Sequence, residues 1–268
     1  MLQAISVPRS LAQAHAALSE AGAALVAGGT AVMPVVNLGT DAFSRLVSLR
    51  RAGLDGIAVK DGAATVGAAA PLAALEGLPD LAFLAPALDA IASPTVRNMA
   101  TVGGNLFVKP PYGDFAACLV ALDAAAVVSA GAKRRSVPVE TLVRSGVGPG
   151  EIVVEVAFPL PADGTFRFAK AGRKALNSAA VVTVAAVVAV VDGKVDACRI
   201  GLGGVAPWPV RAPSVEKALI GKPLDRAAVE AAARLADADI EPADDAYASA
   251  WYRRRVTPVH IRRALLGA

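Results

Sequence analysis

Apolar residues recur at helical spacing at the start of the chain and then form a short continuous stretch. Residues 10–22 predict a helix with Ser10 as its N-cap and Gly22 as its C-cap. Residues 23–27 predict a strand that runs directly into a Gly-Gly-Thr turn and a second helix over 31–38. The predicted order in this segment is therefore helix, strand, glycine turn and helix.

Short β-like stretches follow, separated by glycines. Residues 57–60 and 65–67 flank an Asp-Gly pair, which predicts a hairpin. The remaining predictions are helices over 71–76 and 81–93 and strands over 125–129, 137–139 and 153–158.

A boundary is indicated at residues 159–165, where prolines, an acidic residue and a glycine interrupt the pattern. Beyond it, strands are predicted over 166–170, 180–191 and 195–201, followed by helices over 214–219, 225–236 and 251–266. The chain is therefore predicted to be α+β in two parts, residues 1–165 and 166–268. The second part is expected to hold a three-stranded antiparallel sheet and helices.

Composition excludes several classes of protein. Hydrophobic residues make up 55% and charged residues 19% of the 268 residues, which excludes disorder. The longest apolar run, residues 179–191, is shorter than the roughly 20 residues of a membrane span. The N-terminus lacks the features of a secretory signal, so we expect a cytoplasmic protein without a membrane span. Cys118 and Cys198 form no C-x-x-C motif, so any redox metal is expected in a partner.

The net charge is +4, and arginines concentrate near the C-terminus at 253–255 and 262–263. A solvated or partner-facing helix explains them better than nucleic-acid binding, because no recognition module or interleaved aromatic pattern accompanies them. His15 and His260 have no acidic or cysteine partners at catalytic or ligand spacing, and both are predicted to be surface residues.

Two glycine elements carry the candidate chemistry. Residues 28–30 are Gly-Gly-Thr, and residues 101–105 are Thr-Val-Gly-Gly-Asn. A glycine pair between a strand and a helix lets backbone N–H groups converge on an anion, although one such pair alone is more often a tight structural turn. Neither element matches a Rossmann or P-loop motif. Because a diphosphate has two charged centres, two separated elements predict a dinucleotide.

These elements resemble those of the FAD-binding (medium) subunit of molybdenum hydroxylases, the family of carbon monoxide dehydrogenase and xanthine dehydrogenase. The resemblance covers nearly the whole chain. Ala27-Gly28-Gly29-Thr30 with Pro34 is similar to the first FAD loop of this family, and Arg97-Asn98 with residues 101–105 is similar to the second. Further similar segments are Gly150-Glu151-Ile152, Phe168-Ala169-Lys170 with Arg173, and the motifs around 203–211 and 252–265.

The resemblance implies a set of cofactor-binding residues. Asp114 would hold the ribityl and adenosine part of FAD, although aspartate at this position could instead cap a helix from Phe115. Ile152 would pack against the isoalloxazine ring, and Lys170 would stabilise the reduced flavin. Tyr112 would either stack on adenine or rigidify its turn. The implied set comprises Ala27, Gly28, Gly29, Thr30, Ala31, Thr101, Gly103, Gly104, Asn105, Asp114, Ile152 and Lys170, with no catalytic group beyond the flavin and no metal ligand.

The resemblance also implies a fold and a function. The fold would be an FAD-binding domain of the vanillyl-alcohol-oxidase-like (PCMH) type over residues 1–165, with subdomains over about 1–55 and 56–165. The chain would pass electrons from the 2Fe-2S clusters of a small subunit through FAD to an external acceptor. A large subunit would hold the molybdenum cofactor, in a dimer of heterotrimers. The alternatives are a free-standing flavin oxidoreductase and an assembly subunit without FAD, since Ala31 and Pro110 depart from the family pattern.

Overall fold

The structure is a computed structural model that describes residues 2–39, 42–175 and 177–267. Its N-terminal segment folds around a parallel sheet of three strands in the order β1-β3-β2. Ser10 caps the first helix through a hydrogen bond of 3.2 Å from the Gln13 amide to its hydroxyl oxygen. The elements are β1 (Ala4–Ser6), α1 (Leu11–Leu18), β2 (Ala23–Val26), α2 (Val32–Asn37), β3 (Arg45–Ser48) and a 3-10 turn at Leu49–Arg51.

An antiparallel sheet of five strands follows, in the order β4-β5-β8-β6-β7. The hairpin at the Asp-Gly pair is confirmed, because Asp61 and Gly62 both have positive φ, 52° and 75°, as a type I′ turn requires. The strands are β4 (Ile57–Lys60), β5 (Ala63–Gly67), β6 (Ala125–Ala130), β7 (Lys133–Pro138) and β8 (Ile152–Pro159).

The helices of this middle segment are short. The long helix predicted over 81–93 is wrong: prolines at 79 and 86 divide the region into a 3-10 turn and one short helix. The helices are α3 (Ala85–Asp89), α4 (Pro94–Arg97), α5 (Val102–Leu106), α6 (Asp114–Ala121) and α7 (Val139–Ser145), with 3-10 turns at Leu72–Leu75 and Pro79–Leu84.

The C-terminal segment holds an antiparallel sheet of four strands in the order β12-β11-β10-β9, rather than the three predicted. The additional strand is only two residues long and pairs with Gly201 and Leu202. The elements are β9 (Phe166–Gly172), β10 (Ala180–Val191), β11 (Lys194–Gly203), β12 (Val210–Arg211), α8 (Pro213–Leu219), α9 (Arg226–Ala233), a 3-10 turn at Arg234–Asp239 and α10 (Ala250–Leu266).

Helix α6 lies at the centre of the molecule, and all of its residues are buried. It packs against β10 and β11, and a Cβ atom added to Gly201 would lie 2.1 Å from the Ala117 carbonyl oxygen. The buried cluster around α6 also includes Ala185 of β10 and packs against Phe166 and Phe168 of β9. The two parts of the chain therefore share a core, with α6 between them.

We propose the domain division that the sequence indicates, after residue 165, with subdomains meeting near residue 55. Sheet membership supports this proposal, since the three sheets span residues 4–48, 57–159 and 166–211. The mixed α+β fold class is confirmed.

Candidate cofactor site

The first glycine loop joins β2 to α2 and offers unpaired backbone donors. Gly29 has a φ of 77°, which favours glycine at this position. Among the described residues, no hydrogen bond uses the amides of Gly28, Gly29, Thr30 or Ala31. Residues 27–30 are half-buried and Ala31 is exposed, so an anion can reach these amides. Consecutive free N–H groups are what a phosphate group requires.

The second glycine element has a different character. Its amides are used within the protein: Gly103 donates to the Ala68 carbonyl oxygen at 2.8 Å and Gly104 to the Thr101 hydroxyl oxygen at 3.1 Å. A Cβ atom on Gly103 would lie 2.8 Å from the Cβ and carbonyl oxygen of Ala68. This glycine therefore serves the close packing of α5 on the end of β5. The expectation that both loops offer free backbone donors holds only for the first loop.

Asn105 is also engaged within the protein. Its side-chain oxygen accepts a hydrogen bond of 3.0 Å from the Ala116 amide and thereby joins α5 to α6. Thr101, the N-cap of α5, is buried. Both residues fix the second element in place.

The two elements meet at Gly28. A Cβ atom at this position would lie 1.8 Å from the Met99 carbonyl oxygen, so only glycine fits. Met99 belongs to the turn after α4. Buried Arg97, the last residue of α4, holds this turn in place through an ion pair with Glu76 and a hydrogen bond of 2.9 Å to the Ile91 carbonyl oxygen. The structure thus brings the first loop against the segment that leads into the second.

Asp114 and Lys170 also meet, at the junction of α6 and the C-terminal sheet. The Lys170 Nζ atom lies 2.7 Å from Asp114 Oδ2, and the two side chains are 10% and 7% exposed. Lys170 also donates to the Ala90 carbonyl oxygen at 2.9 Å, and the Thr183 hydroxyl donates to Asp114 Oδ1. Asp114 does not cap α6, because Gly113 is the N-cap and the carboxylate faces β9 and β10.

A cavity of about 280 Å³ opens beside Lys170. It is lined by Pro86 and Ala90 on one side and by residues of β9 and the segment after it, among them Phe168, Lys174 and Ser178. The cavity is therefore bordered by two lysines and by aromatic and apolar groups, a lining that suits a flat, partly apolar ligand with anionic character.

Ile152 lies in a separate hydrophobic cluster from the one around α6. Its side chain has no exposed surface and packs with Ala14 of α1 and Ala69 in the core between α1 and the five-stranded sheet. The ring contact that the resemblance implies for Ile152 has no support in this geometry.

Several contacts were missed by sequence reasoning. Thr183 is the one polar residue in β10, and that isolation in an apolar strand is a usable signal. Tyr112 follows a cis peptide bond between Pro110 and Pro111. Its hydroxyl forms a hydrogen bond of 2.8 Å with the Tyr247 hydroxyl, and this bond is the main reason that the pKa of Tyr112 is raised. This contact favours the turn-holding role of Tyr112. His15 is half-buried and bonds to Ser129 of the five-stranded sheet and to Gly150 in the turn before β8, two contacts that its sequence position does not reveal.

The described part of the chain holds no group of side chains that could bind a metal ion and no reactive cysteine. Within residues 2–39, 42–175 and 177–267 no three His, Cys, Asp or Glu side chains group as metal ligands. Burial raises the pKa of the Cys118 thiol far above its ordinary value and that of Cys198 to about 12, so neither is a reactive thiolate. No helix among these residues is long and apolar enough to cross a membrane.

Comparisons with known proteins match both parts of the chain to known domain families. The FAD binding domain in molybdopterin dehydrogenase matches residues 2–161, and the CO dehydrogenase flavoprotein C-terminal domain matches residues 166–268. The carbon monoxide dehydrogenase medium chain of Afipia carboxidovorans is 32% identical over 96% of this chain and 93% of that protein. The putative xanthine dehydrogenase FAD-binding subunit of Escherichia coli K12 is 29% identical over 91% of this chain and 87% of that protein.

A solved structure is similar over the full length. Carbon monoxide dehydrogenase from Hydrogenophaga pseudoflava, in a form that lacks the Mo-pyranopterin moiety of the molybdenum cofactor, superposes with a TM-score of 0.94. It is 31% identical, and the match covers 100% of this chain and 97% of that chain. With both domain matches, this similarity shows that the chain belongs to the FAD-binding medium subunits of the molybdenum hydroxylase family and is an oxidoreductase subunit.

Proposed function

We propose that this chain is the electron-transfer subunit of a molybdenum-containing dehydrogenase, receiving electrons from the 2Fe-2S clusters of a small subunit and passing them through FAD to an external acceptor. In this proposal a large subunit holds the molybdenum cofactor, and the complex is a dimer of heterotrimers. The observation that carries the proposal is the row of free amides from Gly28 to Ala31. Location in the cytoplasm stays a prediction.

The first loop suits the diphosphate of FAD. Its free N–H groups would donate to phosphate oxygens, and Gly28 permits the close approach of the loop to the Met99 segment. When bound, FAD supplies the redox chemistry of the subunit. Ala27, Gly28, Gly29, Thr30 and Ala31 are the proposed first-loop contacts. Because the amides of residues 102–105 are occupied, we propose that Thr101, Gly103, Gly104 and Asn105 shape the site by their packing.

Asp114 and Lys170 are proposed to act on the flavin side of the site. The Lys170 ammonium group borders the cavity, where a cation stabilises negative charge on a reduced flavin. Asp114 holds this ammonium group in place at 2.7 Å. The proposed role of Ile152 is weaker, since a fully buried side chain would have to move to reach a ligand.

The first experiment tests cofactor binding. The purified chain is titrated with FAD while its visible absorption is recorded, and any bound flavin is released and identified. Wild type is expected to bind FAD, and Gly28→Ala to lose at least tenfold in affinity because the added methyl group collides with the Met99 carbonyl. Gly56→Ala is the matched control, since a Cβ atom there meets nothing within 4 Å. A wild-type chain that never binds FAD contradicts the proposal and favours the assembly subunit.

The second experiment tests the role of Lys170. Lys170→Met is expected to lower the midpoint potential of bound flavin, because the cation that favours the reduced state is gone. Lys174→Met, from the same cavity lining, is the control and is expected to have the smaller effect. An unchanged potential in Lys170→Met contradicts the proposed role.

Co-purification tests the partners. Affinity capture of the chain from its native cells is expected to bring down an iron-containing and a molybdenum-containing subunit. A flavin-loaded chain that is isolated alone, with its own turnover of a substrate, supports the free-standing oxidoreductase instead.

A further inference from the structure

His15 joins two parts of the cofactor-binding segment. It belongs to α1, which packs on the small parallel sheet, but its ring reaches the five-stranded sheet. The Nδ1 atom lies 3.1 Å from the Gly150 carbonyl oxygen, and the Nε2 atom lies 3.0 Å from the Ser129 hydroxyl oxygen. Ser129 lies on β6 and is fully buried. The ring therefore joins α1 to the five-stranded sheet.

The donors and acceptors around the ring restrict its role. A carbonyl oxygen only accepts, so the Nδ1 atom must carry the proton that is donated to Gly150. The Ser129 hydroxyl has a single proton and two acceptors within reach, His15 Nε2 and the Gly131 carbonyl oxygen, each at 3.0 Å. His15 Nδ1 therefore donates to Gly150, and Nε2 shares the single Ser129 hydroxyl proton with the Gly131 carbonyl oxygen.

The turn that receives His15 is held by hydrogen bonds of Glu151. Glu151, next to Gly150, accepts from the Arg135 guanidinium at 3.1 and 2.8 Å and from the Gly148 amide at 2.7 Å. These hydrogen bonds hold the turn at 148–151 and with it the Gly150 carbonyl oxygen that accepts from His15.

The same seam contributes to how the two glycine elements meet. Ala14, the neighbour of His15, is fully buried with Ile152 and Ala69 in the cluster between α1 and the five-stranded sheet. The first loop belongs to the α1 side of this seam, and the Met99 segment belongs to the other side. A Cβ atom on Gly28 would lie 1.8 Å from the Met99 carbonyl oxygen, so the loop backbone approaches this carbonyl closely, and a shift of α1 along the seam is expected to change that approach.

We propose that His15 is a positioning residue of the FAD site, which fastens α1 to Ser129 and Gly150 and thereby holds the Gly28–Ala31 loop against the Met99 segment. The inference rests on the proposed function, because it concerns the affinity for FAD. It assigns to His15 a role that its place in an alanine-rich helix does not reveal.

Substitutions of His15 test this proposal. His15→Leu introduces an apolar side chain of similar size that makes neither hydrogen bond, and it is expected to weaken FAD binding at least tenfold. His15→Asn places an amide N–H group near the Nδ1 position and is expected to restore part of the affinity. His260→Leu, at a half-buried histidine on α10, is the matched control and is expected to bind FAD like wild type.

A double-mutant cycle separates positioning from general destabilisation. Ser129→Ala removes one partner of His15 and is expected to weaken FAD binding severalfold, with no further loss when it is combined with His15→Leu. Far-UV circular dichroism and thermal unfolding establish that each variant is folded. If His15→Leu is folded and binds FAD like wild type, or if the two losses are additive, the proposal is wrong. A wild-type chain that does not bind FAD overturns the proposed function instead.

Discussion

The buried ion pair between Lys170 and Asp114 gives a prediction about stability. Lys170→Met removes the cation and leaves the Asp114 carboxylate, which is 7% exposed, without its charged partner. Breaking a buried pair by removing one partner costs about 3–5 kcal/mol. Asp114 retains the Thr183 hydroxyl as a donor, which places the expected loss near the lower end, at about 3 kcal/mol. A loss of this size lowers the ratio of folded to unfolded chain about 100-fold.

Urea unfolding of the FAD-free chain, followed by far-UV circular dichroism and tryptophan fluorescence, measures this loss. For a slope of about 3 kcal/mol per molar urea, the midpoint is expected to fall by about 1 M. Lys60→Met is the control, because its ion pair with Asp61 is 3.8 Å long and both side chains are more than four-fifths exposed. Pairs of this kind contribute ~0–1 kcal/mol.

The double variant Asp114→Leu with Lys170→Met completes the test. Removing both charges leaves no unpaired buried ion, so the double variant is expected to be more stable than Lys170→Met alone. If Lys170→Met shifts the midpoint no more than Lys60→Met does, the ion pair is not a structural element. If the two losses simply add, the electrostatic explanation is wrong.

Three further predictions concern packing and pH. Gly201→Ala is expected to destabilise the chain by about 1–3 kcal/mol in urea unfolding, because its methyl group would lie 2.1 Å from the Ala117 carbonyl oxygen. No loss relative to Gly56→Ala, where a Cβ atom meets nothing within 4 Å, would contradict this packing. Burial, and then the nearby Arg263 charge, lowers the pKa of His260, so the stability that the neutral ring contributes is present above pH ~6.5 and is lost as the pH falls. The melting temperature of His260→Gln should therefore fall less between pH 7.5 and pH 5.5 than that of wild type. Equal decreases in the two proteins would refute this. Partial burial raises the pKa of Asp245, but hydrogen bonds from the Ala248 and Tyr247 amides and from Arg253 outweigh this effect and leave the pKa lowered. Asp245→Asn should therefore reduce the free energy of unfolding most at neutral pH and little at pH 2. A reduction that does not depend on pH would contradict this sign.

Local patterns predicted the strands well where the turn chemistry was explicit. The strand over 180–191 is confirmed at both ends, because an apolar run interrupted only by Thr183 stops at Asp192-Gly193, whose positive φ values of 48° and 74° suit a tight hairpin. Strand β12 was missed because a two-residue strand has no periodicity to detect. Strand β1 was missed because it exists only through its pairing with β3.

The site was predictable to the extent that it follows from local sequence. The glycine loops could be found because glycine spacing is a local signal. The occupied amides of Val102 and Gly103 could not, since they donate to Ala70 and Ala68, which lie far away in the sequence. The same holds for the Thr183 contact with Asp114 and for the two partners of His15, which lie 69 residues and at least 114 residues away along the chain. Long-range contacts of this kind follow from the packed fold alone.

The central claim is that the free amides of Gly28, Gly29, Thr30 and Ala31 bind the diphosphate of FAD. The most direct test is a two-dimensional ¹H–¹⁵N spectrum of the labelled chain during titration with FAD. If this loop binds the diphosphate, these four amide signals shift most, while those of Gly103 and Gly104, already bonded within the protein, shift less. Saturable FAD binding that leaves the Gly28–Ala31 signals in place would contradict it.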